Sequence, residues 1–574
     1  MTMTMRAVGR PRPTPLLVAK GAVAAPRPLP RTAFCRDRDV PSEMAYKLRC
    51  RADGAISYHM HLGLNTWSAT LEALHDITAA LASDGQRVDR FGLCLDRGMS
   101  LLEARRGAAR KETGPRLAEG DWDEMANGVP VQPHLGDFMI GTPASLENTV
   151  RALGAGVTTI GNLGQYFAFD TPGESDDVDV TEATVMALAA MAAARPHGAL
   201  VHSYLDDGPA MQFSHYGAYV GWAALELYIV ERLLGARLAH CFGGLVPDPA
   251  TRAMLHFALD DLRDRDSVGS MIYGNTVDYT DNHVHNAAVL STCLLVDIAA
   301  QLRRPTGHAI MPVPLTEAER IPSAAEIIAV QRVARATERE ARRCADLFDW
   351  SRLERMGAAL ADYGRRFAAR VLALMAEDGV DTGDAAALLL ALRRATPTEL
   401  ERRAALPATP DIARLEPWKA GQVRAHAARI GTATPHLAGM RVILAVLEVH
   451  DVVRDALAVA LPRRGCEVIL LPSIATPAGI ARAAVEEDVD AVVVGVYNGW
   501  ALSLARELRA ACAAEGYEGA VVFGGRLNED MGGPLPVDVR PQLAGLGVRC
   551  VERAEDVGPL LAGLKGARDD VHAL

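Results

Sequence analysis

Lysine is nearly missing from this chain: five occur in 574 residues, at positions 20, 47, 111, 419 and 565. Cysteine is sparse and uneven, with nine residues at 35, 50, 94, 241, 293, 344, 466, 512 and 550 and no CxxC pair. Such a set reads as core thiols in a reducing compartment, not as a disulfide framework or a zinc ribbon. Positive charge is in deficit as well, since 60 bases face 71 acids for a formal charge of −11. That excludes the basic field which nucleic acids and anionic membranes require. No uninterrupted apolar run reaches the roughly 18 residues needed to span a bilayer. The expectation is a cytoplasmic protein with a small-molecule substrate, no nucleic-acid or membrane partner, and a homodimer left open as its assembly.

What is present is abundant core material, 49% hydrophobic against 23% charged residues. At roughly 100–200 residues per domain, the length suggests about two to four domains. Residues 1–45 form a proline- and arginine-rich start, with seven of each in the first 42 positions. It is expected to be a disordered extension or a misplaced start, although its composition also imitates a transit peptide.

Residues 46–341 repeat one theme, a short apolar run followed by an amphipathic helical stretch. The runs fall at 55–61, 90–95, 129–134, 157–162, 199–205, 238–243, 270–275 and 308–313. Eight strand-then-helix units predict an α/β fold of the closed (βα)8, TIM-like type, with an open doubly wound sheet as the structural alternative. Residues 342–437 carry no strand pattern and are expected to be a helical connector. From 438 to 574 a second α/β pattern has apolar runs at 440–447, 466–471, 489–496, 520–523 and 548–551. Five parallel strands there fit a flavodoxin-like (Rossmann-like) sheet, whose ligands sit beyond the strand ends.

The first strand of this last segment runs into Glu448-Val449-His450-Asp451. A histidine past a strand end between carboxylates suits metal ligation, because a carboxylate on the distal ring nitrogen fixes its tautomer and raises its basicity. An ordinary loop histidine is the plainer alternative. The segment resembles the cobalamin-binding domain of B12-dependent mutases and methionine synthases. Four features carry the likeness: Glu448-x-His450, Leu471-Pro472 with Thr476-Pro477, Ala483-Ala484 to Asp490, and Gly524-Gly525. The resemblance implies that His450 is the lower cobalt ligand of cobalamin, with Glu448 or Asp451 behind it. It also implies cofactor contacts from Thr476, Gly495, Tyr497, Asn498, Gly524 and Gly525. The family's aspartate is Glu448 here, its glycine is Val453, and its serine after the third strand is replaced by Gly495-Val496-Tyr497-Asn498-Gly499.

The preceding barrel resembles the large subunit of glutamate mutase, also called methylaspartate mutase. The likeness lies in the order of elements, in Leu153-Gly154-Ala155-Gly156 leading to Gly161-Asn162-Leu163-Gly164-Gln165-Tyr166, and in Thr316-Glu317-Ala318 with Ile321-Pro322. In that family three arginines clamp two substrate carboxylates. Carried across, only Arg97 remains; the others fall within His59-Met60-His61-Leu62-Gly63 and Gln132-Pro133-His134. The family's glutamate after the fourth strand is Asn162 and its eighth-strand lysine is Met311.

The expected mouth is instead rich in histidine and tyrosine: His59, His61, His134, Tyr166, His202, Tyr204, His215, Tyr216, His283 and His285. Imidazoles there suit hydrogen bonding and proton transfer near neutral pH. A mononuclear metal site from His61, His134 and His202 is an alternative. Pyridoxal phosphate is not expected, since Lys111 is the one lysine assigned to the barrel proper and lies in a charged helical stretch.

The implied activity is an adenosylcobalamin-dependent carbon-skeleton mutase, an isomerase acting on an amino-acid-like or carboxylic acid substrate other than glutamate. Its catalytic set is Arg97, His61, His134, Asn162, His202 and Tyr204. A corrinoid methyltransferase and a non-catalytic cobalamin sensor or carrier are the alternatives.

Overall fold

The computed structural model describes residues 10–572 apart from 110, 170, 172–175, 265–266, 318, 448–449, 474, 498 and 530–535. The chain divides into two compact units, one carrying the barrel and the helices up to Trp418, the other beginning at Lys419.

All eight expected barrel strands form: β1 (Ser57–Leu62), β2 (Arg90–Leu93), β3 (Gln132–His134), β4 (Thr159–Gly161), β5 (Leu200–Tyr204), β6 (Leu238–Phe242), β7 (Met271–Tyr273) and β8 (Ala309–Met311). They pair in parallel in the order β3-β2-β1-β8-β7-β6-β5-β4. Between β3 and β4 the ladder shrinks to one parallel bridge, Leu135 with Ile160. There the Leu135 amide donates to the Thr159 carbonyl at 3.3 Å and the Gly161 amide donates to the Leu135 carbonyl at 2.8 Å. The sheet is thus a nearly closed parallel barrel, compatible with the TIM-like arrangement.

Helices between the strands form for local reasons legible in the chain. Thr66 caps Trp67–Ser83, which turns Leu74, Ile77 and Leu81 wholly inward. Ser323 and Glu326 make a capping box at the start of Ala324–Arg343, and Arg342 and Arg343 complement its C-terminal end. The helix His283–Arg303, between β7 and β8, is long and apolar enough to cross a membrane by length and composition. It carries Asp297, however, whose carboxylate pairs with the buried Arg252 at 2.6 Å, as fits a barrel helix.

Two expectations are corrected. Residues 14–24, assigned to a disordered extension, form a helix against Asp177–Ala193. Leu17 is fully buried, Arg12 pairs with Glu182, and the Thr14 hydroxyl donates to Asp384 at 2.7 Å. Proline and arginine counts concealed one apolar stripe long enough to dock. The stretch after 342 is helical, but it is no free connector. Its long helix Ser351–Glu377 lays Leu360, Tyr363, Phe367 and Val371 against Tyr216–Leu227 and Pro249–Asp261 within the barrel unit.

The second unit has five parallel strands, β9 (Arg441–Val446), β10 (Glu467–Ser473), β11 (Ala491–Val496), β12 (Ala520–Gly525) and β13 (Val548–Val551), ordered β10-β9-β11-β12-β13. Alternate residues feed separate apolar clusters: Ile443, Ala445, Val492 and Val494 on one face, Val442, Leu444, Ala491 and Val493 on the other. Both faces are therefore covered, as parallel sheets require.

The floor of the barrel is an ion triad. From the helix Glu43–Asp53 the Glu43 carboxylate meets the Lys47 ammonium at 2.7 Å and the Arg90 guanidinium at 2.8 Å. All three side chains are about 1% exposed. Burial alone would raise the Glu43 carboxyl, but the two cations outweigh it and hold it at about 2. Replacing Glu43 with Gln leaves two cations buried without an anion, and we expect a loss of about 3–5 kcal/mol in urea unfolding. A loss well under 1 kcal/mol would show that the floor does not bear on stability.

Candidate functional site

In most barrels of this kind the strands point branched aliphatics inward. Here β1 supplies His59 and His61, β3 His134 and β5 His202, with His308 preceding β8. The rings form one continuous stack: His61 to His59 at 5.1 Å between centroids, His59 to His134 at 5.5 Å, His134 to His202 at 4.5 Å, His202 to His308 at 5.3 Å. Gly92 on β2 makes the stack possible, because a Cβ there would lie 2.4 Å from the His61 ring and 2.8 Å from that of His59. Below, Arg90 reaches His308 Nδ1 at 3.4 Å.

Burial, followed by the positive charge of Arg90 beneath, pushes His61 down to about 4. His59, His134, His202 and His308 are driven below the ordinary histidine range, first by burial and then by neighbouring cations and imidazoles. All five are neutral at physiological pH. Lys47 is brought down to about 7, by burial and then by Arg90.

Above the stack lies the mouth. The Tyr273 hydroxyl and His61 Nδ1 are 3.2 Å apart, and Tyr204 stacks on Tyr273 at 5.2 Å. Two carboxyls reach the same place. Asp137, beyond β3, is raised to about 6 by burial, against a hydrogen bond from Gln165 at 3.4 Å. Glu317, beyond β8, is raised by burial to about 7. After burial, both carboxylates are among the charges that keep the Cys94 thiol and the Tyr273 hydroxyl protonated. Phe138, next to Asp137, holds a strained left-handed φ of 57° while its amide donates to Gln165 Oε1 at 2.9 Å. Strain of this kind concentrates where a side chain must be aimed. The mouth thus offers two carboxyls that change protonation near neutrality, a neutral imidazole and two phenols, a set suited to polar recognition and proton transfer.

Four expected residues, His61, His134, His202 and Tyr204, do come together. Arg97 stands in the turn after β2, its guanidinium 4.0 Å from Glu112 and its side chain 11% exposed. Asn162 is engaged structurally: Oδ1 accepts from the amides of Gly164 and Tyr204, both at 2.8 Å, and Nδ2 donates to Asp207 at 2.7 Å. It clamps two loops together. Other residues expected at the mouth are engaged with partners of their own. Tyr166 is buried with its hydroxyl 2.7 Å from Thr181, and His215 caps the helix Tyr216–Leu227. His283 pairs with Glu319 at 2.6 Å, and His285 contacts the Asp278 carbonyl at 3.0 Å. No group of three His, Cys, Asp or Glu among the described residues is placed to hold a metal ion. The His61, His134 and His202 metal site is therefore withdrawn, since ring packs edge to face on ring where nitrogens would have to converge.

Sequence reasoning missed Asp137 and Glu317, although each follows a strand end within a few residues, and it missed Lys47, which lies in the helix before β1. Lys47 is thus a second lysine of the barrel. It is engaged with Glu43 and with the Thr159 hydroxyl at 2.8 Å.

In the second unit His450 is exposed just past β9, its ring 5.5 Å from that of Tyr497. Asp451, expected behind it, is tied to Lys419 at 2.7 Å and Arg454 at 3.4 Å. Thr476 caps the helix Pro477–Glu486 through the Gly479 amide at 3.0 Å. Gly495 and Gly524 are the next-to-last residues of β11 and β12, and Gly525, which ends β12, has a φ of 107° and a Cβ position 2.3 Å from the Val496 carbonyl oxygen. Only glycine fits that position. Glu448 and Asn498 lie outside the described residues. No protein-family model matches the chain, and no curated protein matches it.

The stack makes the barrel acid-sensitive. Its histidines titrate near 6.5 when unfolded and lower when folded, so the unfolded chain binds more protons and stability falls as pH drops below 6.5, for His61 until about 4. Asp137 and Glu317 act in the opposite sense, costing stability as pH rises from the ordinary carboxyl range to about 6 and about 7. We expect each buried histidine to contribute a slope of about 1.4 kcal/mol per pH unit, and His202→Gln to remove one such share. Urea titrations of both proteins from pH 7 downward measure this; parallel curves would disprove it.

Proposed function

We propose that the chain is a cobalamin-dependent carbon-skeleton mutase of the glutamate mutase type, its barrel holding the substrate and its C-terminal unit, read as flavodoxin-like, holding the corrinoid. One observation carries the reading. A single chain joins a barrel with a polar, titratable interior to a five-stranded parallel sheet whose first strand ends at Val446, four residues before an exposed imidazole. The order β10-β9-β11-β12-β13 is the doubly wound 2-1-3-4-5 order, in which ligands gather beyond the strand ends.

Among the described residues, His450 is the one that would hold the cobalt of a corrinoid. His450 is exposed, and Gly495 and Gly525 leave room for the Tyr497 ring beside it, which a Cβ at those positions would meet at 3.4 and 3.0 Å. His450 is the ligand in this reading, with Tyr497 beside it. Bound adenosylcobalamin supplies an organic radical by cleavage of its cobalt–carbon bond. The protein's own residues do the remaining work. Arg97 anchors a substrate carboxylate, because a guanidinium holds one bidentately. His61 and Tyr273 present a hydrogen-bonded pair, and Asp137 and Glu317 hold or release protons near neutrality. With one arginine in place of three, the substrate is an amino-acid-like or carboxylic acid other than glutamate.

Reconstitution with adenosylcobalamin should give the spectrum of a base-off, histidine-ligated corrinoid, and His450→Ala should lose it. Failure to bind any corrinoid, or binding unaltered in that variant, would refute the assignment. Arg97→Ala should lower kcat/KM for the substrate found in a mass-spectrometric product screen by about 100-fold, the scale of a lost charge-assisted pair. Wild-type turnover would remove Arg97 from the site.

A further inference from the structure

The face where the barrel strands begin, opposite the mouth, has a character at odds with the chain's formal charge of −11. A cleft of about 740 Å³ there is lined by six arginines: Arg38, Arg49, Arg87, Arg335, Arg339 and Arg342. Four carboxylates, Asp37, Asp53, Asp89 and Glu338, share the lining, which leaves cations in excess. The acids are engaged on both sides: Asp89 pairs with Arg87 at 3.4 Å, Glu338 with Arg342 at 2.8 Å and Arg335 at 3.4 Å, and Asp37 with Arg38, so that among the described residues Arg49 and Arg339 are the lining arginines that pair with no carboxylate. Asp89, 1% exposed, accepts from the Tyr46 hydroxyl at 2.6 Å and the Tyr58 amide at 3.0 Å, and Glu338 accepts from the Tyr58 hydroxyl at 3.0 Å.

Those two tyrosines are platforms for arginine. The Arg335 guanidinium lies 4.1 Å from the Tyr58 ring centre and that of Arg49 lies 5.4 Å from the Tyr46 ring. Stacking of this kind fixes the plane of the fork before a ligand arrives. Arg49 donates to the Arg38 carbonyl at 3.3 Å and Arg339 to the Arg335 carbonyl at 3.2 Å, so both spend their hydrogen bonds on backbone and not on carboxylates. Arg38 Nε is buried with no hydrogen-bond partner. Ile56, Val88 and Val131, each no more than 9% exposed, give the cleft an apolar floor. Its volume lies within the roughly 300–1,000 Å³ of small-molecule sites.

We propose that this cleft is a second ligand site, one that takes a small phosphorylated molecule. Planar forks preset on aromatic rings match phosphate oxygens, the excess of cations matches a group of two or more negative charges, and the apolar floor takes the organic remainder. The site is independent of the mutase reading, because no residue of the mouth or of the second unit belongs to it.

Isothermal titration of the full chain at physiological salt tests this with ATP, pyrophosphate and adenosine. Saturable binding of ATP and pyrophosphate without binding of adenosine is expected; ATP tighter than pyrophosphate identifies a nucleotide, and equal affinities identify the phosphate group alone. The double variant Arg49→Ala/Arg339→Ala, altered at two exposed positions, should bind at least about tenfold more weakly while melting like the wild type. Absence of saturable binding at millimolar probe, or equal binding by the double variant, would overturn the proposal.

Discussion

The barrel rests on one carboxylate. Glu43 stands between Lys47 and Arg90 beneath the strands and also accepts from the Thr159 hydroxyl at 2.8 Å, which ties the helix Glu43–Asp53 to β2 and β4 together. With two cations for one anion, the floor keeps a positive excess that is felt upward through the core. Arg90 is among the charges acting on every imidazole of the stack. Among the described residues no cation offsets the burial of the carboxyls at the top, which rise toward neutrality, whereas the one at the bottom is held far below it. Depth along the barrel axis thus sets protonation, and the same residue type is a permanent charge at one end and a group that titrates near neutrality at the other.

The course of the backbone was legible in the sequence to a useful degree. All eight barrel strands and all five of the second sheet coincide with the apolar runs, three of them (β1, β10 and β12) reaching one or two residues further, because alternation and helical periodicity are local properties. Which residues face the barrel axis was much less legible. His59, His61, His134 and His202 could be named from their strands, but nothing local singled out Arg90 and Lys47, which acquire their role only where the floor brings them to Glu43. Asp137 and Glu317 escaped for a related reason: their chemistry comes from burial at a shared mouth, and they lie 180 residues apart. Asn162 shows the converse, a polar residue at the right strand end whose amide is wholly engaged in holding loops. Composition misled at the N-terminus, where counting proline and arginine hid the stripe around Leu17.

The two units place their chemistry in contrasting settings. The barrel gathers its titratable groups out of water, where every hydrogen bond and charge weighs more. The second unit has glycines near the ends of two strands and an exposed imidazole past a third. Proposed substrate and proposed cofactor accordingly meet opposite kinds of site.

The single bridge from Leu135 to Ile160 gives this barrel a clasp. Elsewhere around the ring neighbouring strands share a ladder; here one residue fastens the circle, and the His134 and His202 rings touch from either side of the clasp. Opening a ring costs least where the fewest hydrogen bonds hold it, so breathing of this barrel concentrates at that point. Any loosening of that clasp would bear first on the His134–His202 contact beside it, and so on the continuity of the imidazole stack.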